Sequence, residues 1–89
     1  MSEYIFEQQQ ADQELSRLQM IEEALDPSTI AHLKTTGLRS GDRCMELGAG
    51  AGSIMKWMGG VVGASGRVVG IDRDTKHLQH LSESRFIII

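Results

Sequence analysis

Two acids and the glycines between them are the residues of this sequence best placed to do chemistry. Glu46 is followed by Gly48, Gly50 and Gly52 at alternate positions, and Asp72 stands about twenty residues beyond the last glycine. A turn with glycine at every second position can take positive φ. Because no Cβ stands in the way, it also lets a ligand touch main-chain N–H groups. An acid at the tip of the next parallel strand lies beside such a turn and can accept hydrogen bonds from both hydroxyls of a ribose. Positioning these groups requires a strand over about Arg43 to Leu47, a helix after the turn, and a second strand over Arg67 to Ile71 leading into Asp72. The unit reads as a nucleoside-binding half-site.

The spacing bears on which nucleoside. A dinucleotide fingerprint places its third glycine at position 53, where the helix packs on the strand and the pyrophosphate meets the helix N-terminus. Ser53 stands there instead. Glu46, two residues before the first glycine, would oppose a pyrophosphate and suits a cationic ligand, directly or through water. A nicotinamide-dependent oxidoreductase is therefore the weaker reading of the same βαβ pattern.

Glu46-Leu47-Gly48-Ala49-Gly50-Ala51-Gly52 resembles motif I (E-x-G-x-G-x-G) of the class I S-adenosylmethionine-dependent methyltransferases, and Val69-Gly70-Ile71-Asp72-Arg73-Asp74 resembles their second-strand motif. The resemblance implies S-adenosyl-L-methionine as cofactor. Carried over residue by residue, it makes Asp72 the ribose acceptor and Gly48, Ala49, Gly50 and Gly52 the close-approach backbone. Glu46 becomes an organiser of the amino-acid end, and Arg73 a flank for the adenine. The Leu25-Asp26-Pro27 helix start and the Gly37-Leu38-Arg39-Ser40-Gly41 loop are similar to the lead-in of small-molecule methyltransferases, so a small-molecule acceptor is expected. The resemblance identifies no catalytic residue, because the family carries those groups further along the chain.

Composition sets bounds on the rest. Eighty-nine residues allow one small domain with a thin core. A net charge of −3 offers none of the clustered Lys and Arg that nucleic-acid binding needs. One cysteine, Cys44, forms no internal disulfide and reads as a small buried residue rather than a nucleophile. No signal peptide and no apolar run of bilayer length is apparent, so a cytoplasmic protein without a membrane partner is expected. His77 and His80 stand at i, i+3 spacing, but no third ligand accompanies them and no metal site is inferred.

Along the chain, Tyr4, Ile5 and Phe6 read as part of an N-terminal arm without a period, with packing as a lid over the site as the alternative. Leu15, Leu18 and Leu25 form a helical stripe over Ala11 to Leu25. Asp26 and Pro27 read as N-cap and first residue of a second helix, Pro27 to Thr36. Strand 1 is expected to be buried on both faces, with Met45, Met55, Trp57 and Met58 as packing residues. The helix after the turn should stop at Gly59-Gly60. A further helix follows over Lys76 to Ser82, and a third strand over Arg85 to Ile89.

The fold class is thus α/β: a partial Rossmann-like parallel sheet, strand order 3-2-1, preceded by two N-terminal helices. Residues 1–40 form a helical lead-in and residues 41–89 the first half of a truncated, S-adenosylmethionine-binding Rossmann-like domain. The outer edge of strand 1 is left uncovered, a surface for association and an aggregation hazard. The sequence therefore reads as the cofactor-binding, N-terminal portion of a methyltransferase and as inactive by itself. The rival is an inactive remnant or interaction module.

Overall fold

The computed structural model describes residues 2–89. Its elements are α1 (Ser2–Lys34), β1 (Arg43–Leu47), α2 (Ser53–Val62), β2 (Arg67–Ile71) and β3 (Phe86–Ile88), with one 3-10 turn at Lys76–Leu78 before β3. The strands are parallel in the order β1-β2-β3, the expected 3-2-1 sheet read from its other edge. Register runs from Arg43 opposite Arg67 to Leu47 opposite Ile71, and from Val68 opposite Phe86 to Gly70 opposite Ile88.

One face of this sheet carries the core. Met55, Met58 and Val62 of α2 pack with Val68, Leu78 and Leu81, and Phe86, Ile88 and Cys44 close the cluster from the strands. Two glycines let α2 lie close to the sheet. A Cβ on Gly70 would overlap the Met55 sulfur, and one on Gly59 would overlap the Phe86 ring. The second contact explains why α2 runs through Gly59-Gly60 to Val62 instead of stopping there. Gly59 is required for packing, and the helix ends at Gly63, at φ 70°, whose N–H donates to the Gly59 carbonyl at 3.0 Å.

The opposite face is open. Met45 is 60% and Leu47 75% exposed, against the expectation of a strand buried on both sides with Met45 as a packing residue. The cause is the pleat: side chains alternate along a strand, so a single covering layer buries one set only.

The lead-in also departs from expectation. The two helices read from the sequence are one, and the presumed arm is its first turns, with Tyr4 and Phe6 exposed on the helix surface rather than closed over the turn. Pro27 lies inside α1 and removes one backbone hydrogen bond, a cost of about 3 kcal/mol in a helix interior. Anchors on both sides offset it. Ile30 and Leu33 pack on the core below the proline, and Glu22 and Leu18 touch the glycine turn above it. Met1 lies outside the described residues. The helix expected over Lys76 to Ser82 is only the 3-10 turn, yet Leu78 and Leu81 are buried as their spacing implied. No helix among the described residues is long and apolar enough to cross a membrane.

Candidate functional site

The site is the segment between β1 and α2. Gly48, Gly50 and Gly52 all take positive φ, at 73°, 60° and 89°, so the alternate spacing is a conformational requirement of this turn. The turn hangs from β2. The Gly48 and Ala49 N–H groups donate to the Ile71 carbonyl at 2.7 and 3.3 Å, which fixes the exit of β1 against the tip of β2.

Three side chains from three elements then grip consecutive parts of the turn. Asp72, at the end of β2, accepts the Gly50 N–H on Oδ2 at 2.8 Å and the Asp74 N–H on Oδ1 at 3.1 Å. His80, beyond the 3-10 turn, bonds through Nε2 to the Ala51 carbonyl at 2.9 Å. Glu22 of α1 accepts the Ser53 N–H, the first of α2, on Oε2 at 3.0 Å. The Asp72 carboxyl is held below the usual aspartate range, first by the Gly50 N–H and then by the Asp74 N–H.

Glu46 has the opposite character. Its side chain is half-buried and its Oε1 is enclosed without a hydrogen-bond partner. Burial pushes its carboxyl up to about 7, and the carboxylates of Asp26, Glu22 and Asp72 push in the same direction. Asp26, read from the sequence as a helix cap, therefore lies inside α1 and contributes charge instead.

Clefts open on three sides of the turn. Gly48, Asp72 and Arg73 line one of about 330 Å³ with Leu47 and Ile71. Glu46, Gly48, Ala49 and Gly50 line a second of about 220 Å³, roofed by Leu18, Glu22 and Asp26 of α1. Gly52 borders a third of about 440 Å³, shared with Glu22, Lys56, Lys76, His77 and His80. The seven residues singled out by sequence thus surround one turn, but they face different clefts. No group of three or more His, Cys, Asp or Glu among the described residues is arranged to hold a metal ion. The Cys44 thiol is pushed up by burial and then by Asp42, which leaves it a poor nucleophile.

Sequence reasoning missed Glu22 and His80. Glu22 left one trace, as an acid at an inward position of the stripe formed by Leu15, Leu18 and Leu25. His80 reads from the sequence only as half of an i, i+3 histidine pair, and nothing local to it points to the Ala51 carbonyl, 29 residues away.

No curated protein matches the chain. Among solved structures it is similar to a protein-L-isoaspartate O-methyltransferase, with a TM-score of 0.61 and 28% identity over 71% of this chain and 22% of that one. It also shares its fold with a SAM-dependent methyltransferase from Aquifex aeolicus, with a TM-score of 0.64 and 23% identity over 84% of this chain and 45% of that one. The chain therefore spans less than half the length of either structure. Residues 4–87 match a family of methyltransferases across nearly the whole sequence, and the chain belongs to that family, protein-L-isoaspartate(D-aspartate) O-methyltransferase (PCMT).

Proposed function

We propose that this chain supplies the cofactor-holding part of an S-adenosylmethionine-dependent methyltransferase whose acceptor is a carboxylate of a protein, an isoaspartyl residue. The observation that carries the reading is the bond from the Gly50 N–H to Asp72, which keeps the bare backbone of the turn beside a carboxylate with acceptor capacity to spare. Each Asp72 oxygen already receives one N–H and retains a lone pair for a ribose hydroxyl.

Two further features fit the cofactor. The space where a Gly48 Cβ would point is free of protein atoms within 4 Å. The unpartnered Glu46 oxygen, crowded by other carboxylates, suits a cationic group. In this reading Gly48, Ala49, Gly50 and Gly52 give backbone contact, Asp72 holds the ribose, Arg73 flanks the base, and Glu46 faces the cationic end. When bound, the cofactor supplies a methyl group on a sulfonium. A carboxylate acceptor is already a nucleophile, so the protein has to orient it and exclude water rather than remove a proton.

A protein acceptor replaces the small-molecule acceptor expected from the lead-in. That expectation leaned on the Leu25-Asp26-Pro27 helix start and the Gly37–Gly41 loop, and α1 is continuous through the first of these. The match to the isoaspartate methyltransferase family supports the new choice.

The test pairs calorimetric titration of S-adenosylhomocysteine and NADH with transfer of labelled methyl to an isoaspartyl peptide and its aspartyl isomer. Saturable S-adenosylhomocysteine binding is expected of this chain, and label on the isoaspartyl peptide alone is expected of an assembly in which it supplies the cofactor-holding part. NADH binding without a response to S-adenosylhomocysteine overturns the cofactor, and equal labelling of both peptides overturns the acceptor.

A further inference from the structure

We propose that Glu22 is a specificity-determining residue that closes the glycine turn to phosphate-bearing nucleotides by placing an internal carboxylate at the N-terminus of α2. The start of a helix presents unpaired N–H groups and a partial positive charge, and in nucleotide-binding βαβ units a pyrophosphate sits there. In this chain the position is taken. Glu22, 31 residues earlier in sequence, accepts the Ser53 N–H at 3.0 Å.

The surroundings show what Glu22 holds back. The cleft of about 440 Å³ on this side of the turn is lined by Lys56, Lys76, His77 and His80 together with Glu22 and Ser53. Lysines lining a cleft that reaches a helix N-terminus would otherwise favour a phosphate. Lys76 is further occupied by Glu14 at 3.3 Å and Asp74 at 3.2 Å. Glu22 lines the neighbouring cleft as well, where it joins Asp26 and Glu46, so the same carboxylate adds negative charge on both sides of the turn. Ser53 and Glu46 argue against a dinucleotide from the sequence, whereas Glu22 reaches the turn only through the fold.

What the turn accepts instead rests on the cofactor proposed above, but the exclusion of phosphate can be measured independently. The full chain and the Glu22→Gln and Glu22→Ala variants are titrated with ADP and with S-adenosylhomocysteine, with circular dichroism confirming that each is folded. Glu22→Gln is the deciding variant, because its amide oxygen can still accept the Ser53 N–H while the charge is gone. Its ADP affinity is expected to rise about tenfold or more, since a like-charge contact has been removed, and the gain should weaken with added salt. Glu22→Ala should show a gain of the same sign. Equal ADP affinity in the wild type and the folded Glu22→Gln chain overturns the proposal. Absence of S-adenosylhomocysteine binding in the wild type counts against the cofactor reading alone and leaves the ADP comparison intact.

Discussion

Glu46 makes the stability of this protein fall as pH rises toward neutrality, which is unusual for a carboxylate. Its carboxyl lies near 7 in the folded chain and near 4.5 when unperturbed, so between those values the folded state binds the extra proton. Stability then decreases with pH across that window, because the state holding more protons is disfavoured as protons become scarce. At about 1.4 kcal/mol per pKa unit the unscreened effect would be about 3 kcal/mol. Solvent reaches this half-buried side chain, and screening reduces the effect to about 1–2 kcal/mol. Urea unfolding at pH 5, 6, 7 and 8 measures it. The wild type should lose that amount between pH 5 and 8 relative to Glu46→Gln, which carries no titrating proton and should be the more stable protein at pH 8. The comparison cancels other titrating groups common to both chains. Asp72 and Asp74 act elsewhere: N–H donors hold both low, so the stability they contribute is lost only as pH falls below the ordinary aspartate range. Parallel stability profiles for wild type and Glu46→Gln would refute the reasoning.

Two other perturbations separate the site from its scaffold. Asp72→Ala should weaken S-adenosylhomocysteine binding by at least about a hundredfold in calorimetry, since two hydrogen bonds to a charged group are lost at about 1.5–3 kcal/mol each. Gly70→Ala forces Met55 out of place, and overpacking of this kind costs about 1–3 kcal/mol in denaturant unfolding.

The turn and its acid were legible because they are local and conformationally strict. Only glycine adopts φ values of 60° to 89° readily, so the spacing of Gly48, Gly50 and Gly52 records the backbone path directly. The strands were legible for a related reason, since short apolar β-branched runs such as Val68-Val69 and Ile87-Ile88 suit buried sheet. The reading failed where one residue could serve two purposes. Gly59 ends many helices, but here it admits Phe86, and Asp26-Pro27 starts many helices, but here anchors on either side carry α1 through it.

The sequence by itself determined the three-stranded parallel sheet, the glycine turn and the placing of Asp72 at its side, because each depends on residues near one another or on the period of a strand. The tertiary structure alone decided the electrostatics of the turn. Glu22, Asp26 and Glu46 belong to no common motif. Their carboxylates meet only because α1 crosses the exit of β1, and charges act through space rather than along the chain.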